Sequence, residues 1–473
     1  MTDTTQQDDW EVILDILAQR PGRFIYTQIA LCYPTADDST TTRDGIITTL
    51  KSGLERLSAS FPWVAGQVIQ DMTGVPEGST GVFKIKPYKP TPLLFIKNLA
   101  ADDPSFPTYA EMKEAGFPMR MFKEEVVCPR GTLKEGFSDP SLAGVDPALL
   151  IQVNIVQGGL ILSVCAEHHV VDATGHGIIM DLLDKACHAT PFTPDELSAV
   201  NLDRTNIIPL LPMDKFDPSV LRPKPPITLS PAPSPPASAS PPTPNPSLTW
   251  HHLHFPPTSL DSLKSLASTN LPATTPYITT DDALTAFIFQ RILASRLHRL
   301  PPDTPTTLIR AVNVRPYFPV IPALYPGMII NSTLTTFPLA DGAAAPLSAL
   351  AAPLREAVQK ETSTLARDTS TFATLLSISK DKTLGGAASF DADKNVMLSS
   401  WTKMGCYELD FALGLGKPEA VRRPSFESPF GGVVYFLPMD GEGGIDVVAA
   451  VRGDEGEVLR GDEEVKRLAR EVV

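Results

Sequence analysis

Cysteine is scarce in this chain. The five residues, Cys32, Cys128, Cys165, Cys187 and Cys406, are scattered, odd in number and never arranged as CxxC. That argues against a disulfide framework and against a structural zinc site, and it predicts a reducing, cytoplasmic setting. Basic charge is also in deficit. Lys and Arg total 40 against 54 Asp and Glu, so the net charge is -14 and the pI about 5.1. A nucleic acid or an anionic membrane surface is therefore not expected as the main partner. No apolar run approaches the length of a membrane span. The opening MTDTTQQDDW is acidic and polar, unlike a secretory or transit signal.

What is present is globular in character: 42% hydrophobic and 20% charged residues over a length of 473. That length exceeds one ordinary core and predicts two or three domains. The clearest punctuation is Pro223–Ser247, PKPPITLSPAPSPPASASPPTPNPS, in which Lys224 is the only charge. Such a segment cannot bury a core and is expected to be an extended linker or surface crossover. The domains predicted from it are residues 1–215 and 251–473, joined by 216–250.

Both halves mix helix and strand signals. Before the linker, Ile46, Ile47, Leu50, Leu54 and Leu57 have helical spacing within Asp44–Ser60. Leu94–Ile96 is a short strand, and Leu149–Val156 and Leu160–Ala166 form a hairpin around Gly158-Gly159. A helix is expected over Ile178–Cys187, with Ile178, Ile179, Leu182, Leu183 and Ala186 as its buried stripe. After the linker, Thr279 and Thr280 lead into Asp281, Asp282 and an apolar helix through Ile292, a capped start. Strands are expected at Leu308–Val314 and Met328–Leu334. A late hairpin, Val433–Leu437 with Ile445–Val451, turns at Asp440–Gly444.

The chemistry concentrates between Gly158 and Gly177, GGLILSVCAEHHVVDATGHG. Alternate residues of an extended chain share a face. Leu160, Leu162, Val164, Ala166 and His168 form one row; Ile161, Ser163, Cys165, Glu167 and His169 form the other. His168 thus ends a uniformly apolar row. A histidine at a strand end, followed four residues later by Asp172, suits a general base in a cleft with an ordering carboxylate beside it. A zinc site built from His168, Asp172 and His176 would need all three on one helical face. His168 belongs to a strand, and Gly175 and Gly177 are expected to disfavour a continuous helix, so no metal is expected.

His168-His169-Val170-Val171-Asp172 resembles the HxxxD motif of the BAHD acyl-coenzyme A-dependent acyltransferases. Asp410-Phe411-Ala412-Leu413-Gly414-Leu415-Gly416-Lys417-Pro418 resembles their second motif, DFGWGKP, most closely as it stands in the fungal trichothecene 3-O-acetyltransferase branch. Ser399-Ser400-Trp401 resembles the family's TSW-like segment. Phe61–Gly66, Thr280–Phe287 and Val312–Arg315 are similar to further family segments, in the family's order. There are departures: Ala412 replaces a glycine, Leu413-Gly414-Leu415 displaces the tryptophan, and Ala173 follows Asp172 where glycine is common.

The resemblance implies an α/β (α+β) fold of two similar chloramphenicol-acetyltransferase-like domains with a channel at their interface. It implies transfer of an acyl group, acetyl by default, from acyl-CoA as co-substrate to a hydroxyl or amine of a small secondary metabolite. His168 would be the general base. Asp172 would pair with a buried arginine, for which Arg315 is the candidate, and Asp410 would be structural, away from the reaction. Ser399 is a candidate oxyanion donor or a serine bonded to its own backbone; Trp401 is a candidate channel wall or a core aromatic. Arg422-Arg423 is expected to be a solvated basic pair. The family is often monomeric. Two other readings compete: a condensation-domain-like enzyme with an HHxxxD motif, whose register would put Ala173 at the aspartate, and a non-catalytic acyltransferase-like binding protein.

Overall fold

The computed structural model describes residues 10–21, 25–37, 39–133, 136–221, 247–383, 390–427 and 431–473. The proline-rich expectation for Pro223–Ser247 therefore lies, up to residue 246, outside the described residues. In chain order the strands are β1 Val12–Ile13, β2 Tyr26–Pro34, β3 Gln67–Asp71, β4 Val82–Lys86, β5 Leu93–Asn98, β6 Leu149–Val156, β7 Gly159–Glu167 and β8 Leu248–Phe255. They continue with β9 Pro305–Asn313, β10 Ile330–Pro338, β11 Val396–Ser400, β12 Ala420–Arg422, β13 Val433–Phe436, β14 Ile445–Arg452 and β15 Arg470–Glu471.

Among the described residues these strands form three sheets. A five-stranded sheet has the order β12-β2-β7-β6-β5, a seven-stranded one β10-β9-β11-β13-β14-β8-β15, and a small one β1-β4-β3. β6 and β7 are buried along their whole length, because both sheet faces are covered. The two rows of β7 separate as their parity demands. Leu160, Leu162, Val164 and Ala166 join the large central core; Ile161 and Cys165 join a smaller core on the opposite face with Tyr109, Met112 and Phe122. The hairpin turns at Gln157 and Gly158, not at Gly158-Gly159, since Val156 pairs directly with Gly159. Gly158 takes the left-handed φ of 79° that the turn needs.

The seven-stranded sheet buries Leu398, Val434, Phe436, Val447 and Ala449 against helices that include Pro257–Ala267, Thr280–Arg296 and Leu347–Glu356. Its other face, with Val448, Trp250 and Tyr435, packs on the central core shared with the N-terminal half. β8 begins at Leu248, within the last residues of the expected 216–250 crossover.

The two halves are also interleaved. β12, from late in the chain, pairs antiparallel with β2 at the edge of the N-terminal sheet. Arg422 of β12 is buried rather than solvated. It reaches Asp446 of β14 at 2.9 Å and donates to the Phe117 and Gly116 carbonyls at 2.7 and 3.0 Å. Arg423 is buried too, with its guanidinium carbon 4.2 Å from the Phe426 ring centre and 4.7 Å from that of Tyr435. The expected solvated pair is corrected on both counts: these cations are consumed by an aspartate, carbonyls and aromatic faces.

Candidate active site

β7 ends at Glu167, and His168 opens the turn that follows. The turn is tied down on both sides. The His168 amide donates to Ile25 O at 2.9 Å, and the Val170 and Val171 amides donate back to Glu167 O. His169 points away into the core. Its Nδ1 lies 2.7 Å from Glu167 Oε1, its Nε2 3.0 Å from Arg20 O, and its ring stacks on Phe83. Neither nitrogen of His169 is left for a substrate.

His168 differs in this respect. It is half-buried, and its Nδ1 sits 3.0 Å from Val171 O. A carbonyl oxygen only accepts, so Nδ1 carries the hydrogen and Nε2 carries the lone pair. Nε2 has no hydrogen-bond partner among the described residues. Burial lowers the pKa of this ring below 6.5, with Val171 and Asp172 opposing the shift. The ring is thus a neutral base of fixed tautomer.

Asp172 is fully buried and caps the helix Ala173–Cys187 by accepting from the Gly175 amide at 2.8 Å. The helix begins five residues before the expected Ile178. Gly175 and Gly177 lie inside it, contrary to the expectation that they would disfavour it, because the Asp172 cap supplies the start signal. Gly175 has a separate packing reason: a Cβ there would lie 1.8 Å from Pro326 O. His168 precedes the helix, so it shares no helical face with Asp172 and His176. His176 is buried with Nδ1 3.1 Å from Thr27 Oγ1. Burial, and next the nearby His168, push its pKa down to about 3.

Arg315 meets Asp172 in a two-pronged pair, Nη1–Oδ2 at 2.8 Å and Nη2–Oδ1 at 3.1 Å. The Ile329 amide completes the carboxylate at 2.9 Å. Arg315 spends its remaining donors on Tyr325 O, Gly327 O and Asn313 Oδ1. Asp172 thus grips the segment before β10 and does not touch the His168 ring nitrogens. A second buried carboxylate grips the same segment. Asp15 accepts from the Met328 amide at 3.0 Å and from the Tyr325 hydroxyl, with Arg204 3.6 Å away. Burial raises the Asp15 pKa, against the pull of Arg204 and Tyr325. Asp15, Arg204 and Tyr325 were not singled out from the sequence. The available signal was a lone carboxylate inside the apolar run Val12–Ala18.

Ser399 lies on β11 beside Tyr435 of β13, half-buried. Its oxygen accepts from Trp401 Nε1 at 3.0 Å, not from its own backbone, and its hydroxyl hydrogen has no acceptor among the described residues. Ser400 is committed to Asp281 Oδ2 at 2.5 Å. Trp401 is buried in the central core with its ring 5.1 Å from that of Tyr435. The Met404 amide closes the turn onto Trp401 O at 2.9 Å, and Met404 lies 3.6 Å from where a Gly177 Cβ would stand. This packs the Ser399–Trp401 segment against the helix that starts at the HxxxD aspartate.

The second motif lies at that helix's other end. Asp410 contacts His188 Nε2 at 2.5 Å, and the Phe411 amide donates to Asp184 Oδ1 at 2.6 Å. Phe411 and Ala412 both take left-handed φ values, 48° and 52°. Ala412 therefore adopts the turn conformation that glycine fills more easily. Asp184, His188 and Asp410 converge closely, but each is used in closing this joint.

The N-terminal part, residues 25–187, matches the family model for a trichothecene 3-O-acetyltransferase-like N-terminal domain, and residues 138–464 match the Transferase family model. The trichothecene 3-O-acetyltransferase of Fusarium sporotrichioides is 42% identical, with 99% of each chain covered. An O-acetyltransferase of Cryptosporiopsis sp. is 41% identical over 95% of each. The crystal structure of Fusarium graminearum TRI101 complexed with coenzyme A and deoxynivalenol superposes with a TM-score of 0.87 at 37% identity, covering 98% of this chain and 100% of that one. The chain belongs to the BAHD Transferase family of acyl-CoA-dependent O-acyltransferases, in its trichothecene 3-O-acetyltransferase-like branch. Its fold is the family's two-domain α/β arrangement.

Proposed function

We propose that His168 is the general base of this enzyme and that the acceptor is a hydroxyl of an oxygenated secondary metabolite, with acetyl-CoA as donor. The observation that carries this reading is the half-buried His168 ring itself: one nitrogen committed to Val171 O, the other without a hydrogen-bond partner among the described residues, and the pKa lowered by burial. Nε2 takes the proton of the acceptor hydroxyl as its oxygen attacks the thioester carbonyl. The resulting imidazolium returns that proton to the coenzyme A sulfur as the C–S bond breaks. No acyl-enzyme is required. The uncommitted hydroxyl of Ser399 donates to the oxyanion, a contribution of roughly 3 kcal/mol for a well-placed donor. Asp172, with both oxygens held by Arg315 and by the Gly175 and Ile329 amides, positions the turn and takes no part in the proton transfer.

The reading places donor and acceptor in a channel between an N-terminal and a C-terminal domain that part at the crossover before β8. The enzyme is a cytoplasmic monomer. The five cysteines, all free and buried, support a reducing compartment, and both halves of the site come from one chain, which supports the monomer. Among the described residues no helix is long and apolar enough to cross a membrane. The test is release of coenzyme A thiol from acetyl-CoA over a panel of alcohols and amines that includes deoxynivalenol and cyclohexanol. His168→Ala should abolish turnover while coenzyme A binding, followed by calorimetry, persists. Turnover at the parent rate in that variant would reject the assignment.

A further inference from the structure

Tyr435 stands out among the side chains that the acyl-transfer steps leave unused. It sits in the middle of β13, between Ser399 of β11 and Val448 of β14 in the same cross-sheet row. The row belongs to the face turned toward the N-terminal half. Neighbours on that face are sealed: Val433 and Val448 are buried. Tyr435 and Trp250 are only half-buried, as is Ser399. The Tyr435 ring lies 5.1 Å from that of Trp401 and 6.3 Å from that of Trp250, with planes tilted by 52° and 33°. The Trp250 indole N–H is consumed by Phe426 O at 2.8 Å. The Tyr435 hydroxyl is solvent-accessible and makes no hydrogen bond among the described residues.

An aromatic floor with one uncommitted hydroxyl is how an apolar site fixes the orientation of a ligand. The nearby cation does not make this a phosphate site. Arg423 lies under the floor, 2% exposed, with Nη1 on Pro424 O and Nη2 on Thr132 Oγ1. An uncharged ring system fits here better than the polyphosphate part of coenzyme A. Resting on the acyl-transfer reading above, we infer that Tyr435 is a specificity-determining residue of the acceptor site, whose hydroxyl hydrogen-bonds a second oxygen of a polycyclic, oxygen-rich alcohol lying against Trp250. Ser399 and Tyr435 are paired in register on neighbouring strands, so their backbones lie one strand spacing, about 4.8 Å, apart.

Tyr435→Phe retains the ring contacts and removes only the hydroxyl. Acetyl transfer is measured with deoxynivalenol as the oxygen-rich acceptor and cyclohexanol as the plain one. Parent enzyme should favour deoxynivalenol in kcat/KM. In Tyr435→Phe, KM for deoxynivalenol should rise about tenfold, the loss expected for one net hydrogen bond. KM for acetyl-CoA, kcat/KM for cyclohexanol and the melting temperature should stay unchanged. A general structural role would move all of these together. Equal constants for parent and variant, or parallel losses on both acceptors, overturn the role of Tyr435. So does a parent enzyme that acylates cyclohexanol but not deoxynivalenol. A parent enzyme that acylates no alcohol in the panel overturns the acyl-transfer reading itself.

Discussion

Burial lowers the proton affinity of the His168 ring, and with His168 as the proposed base this would set the pH dependence of the reaction. Because the pKa lies below 6.5, the neutral, reactive form persists into mildly acidic solution. The acid limb of kcat/KM should therefore have its midpoint below pH 6.5; a midpoint above it would show that the free ring is stabilised as a cation. His176 carries the stability consequence. Its folded pKa of about 3 is far below the ordinary 6.5, so the unfolded chain binds the proton first as pH falls. Its contribution is intact above pH 6.5 and is lost between 6.5 and about 3, at roughly 1.4 kcal/mol per pH unit. Urea midpoints from pH 7 to 5 should fall less steeply in His176→Gln than in the parent. Ala412 offers an opposite test. Its φ of 52° costs a non-glycine residue about 1 kcal/mol or more, partly offset by the extra freedom glycine has when unfolded. Ala412→Gly should raise stability by about 0.5 kcal/mol in the same assay.

At the level of elements, the helix after the HxxxD turn shows how two similar glycines differ. A Cβ on Gly175 meets the Pro326 carbonyl at 1.8 Å, a backbone atom that cannot step aside; on Gly177 the nearest atoms are Met404 side-chain atoms at an ordinary 3.6 Å. Gly175→Ala should cost about 2 kcal/mol or more and lower kcat by moving the His168 turn. Gly177→Ala should be neutral or stabilising by up to about 1 kcal/mol through helix propensity. Thermal melts and turnover of the pair check both. This contrast was not legible in the sequence, because it depends on a loop 151 positions away in the chain. The apolar alternation of β7, the helical spacing of Ile46 to Leu57 and the Thr279 cap were legible, since each is a local pattern. The start of the helix Ala173–Cys187 was misplaced because two glycines outweighed the cap signal of Asp172 in a propensity reading. β12 was missed altogether: Ala420–Arg422 is too short for a period, and only its partner β2 makes it a strand.

Across the whole molecule, buried charge joins the two halves at several places among the described residues, and two of these hold ion pairs. One is the pair Asp172–Arg315, flanked by Asp15 and Arg204 around the segment 325–329. The motif resemblance made its first two members legible; Asp15 and Arg204 carry no motif, and only the folded chain brings them together. The other joint is Arg422–Asp446, with His252 and His254 on the same carboxylate at 3.3 and 3.0 Å. Burial alone would raise the Asp446 pKa, but Arg422 and the two histidines hold it well below the usual carboxylate range. Removing Arg422 strands that charge between β8, β14 and the N-terminal sheet. Arg422→Met should therefore cost about 3–5 kcal/mol. Removing both partners, Arg422→Met with Asp446→Leu, deletes the stranded charge as well as the attraction and should recover most of that loss. If the joint holds the two halves in register, the single variant should lose turnover along with stability and the double variant should regain both in urea melts and thiol-release assays. A double variant as unstable as the single one would show that packing around residue 422, and not its charge, secures β12 to the rest of the molecule.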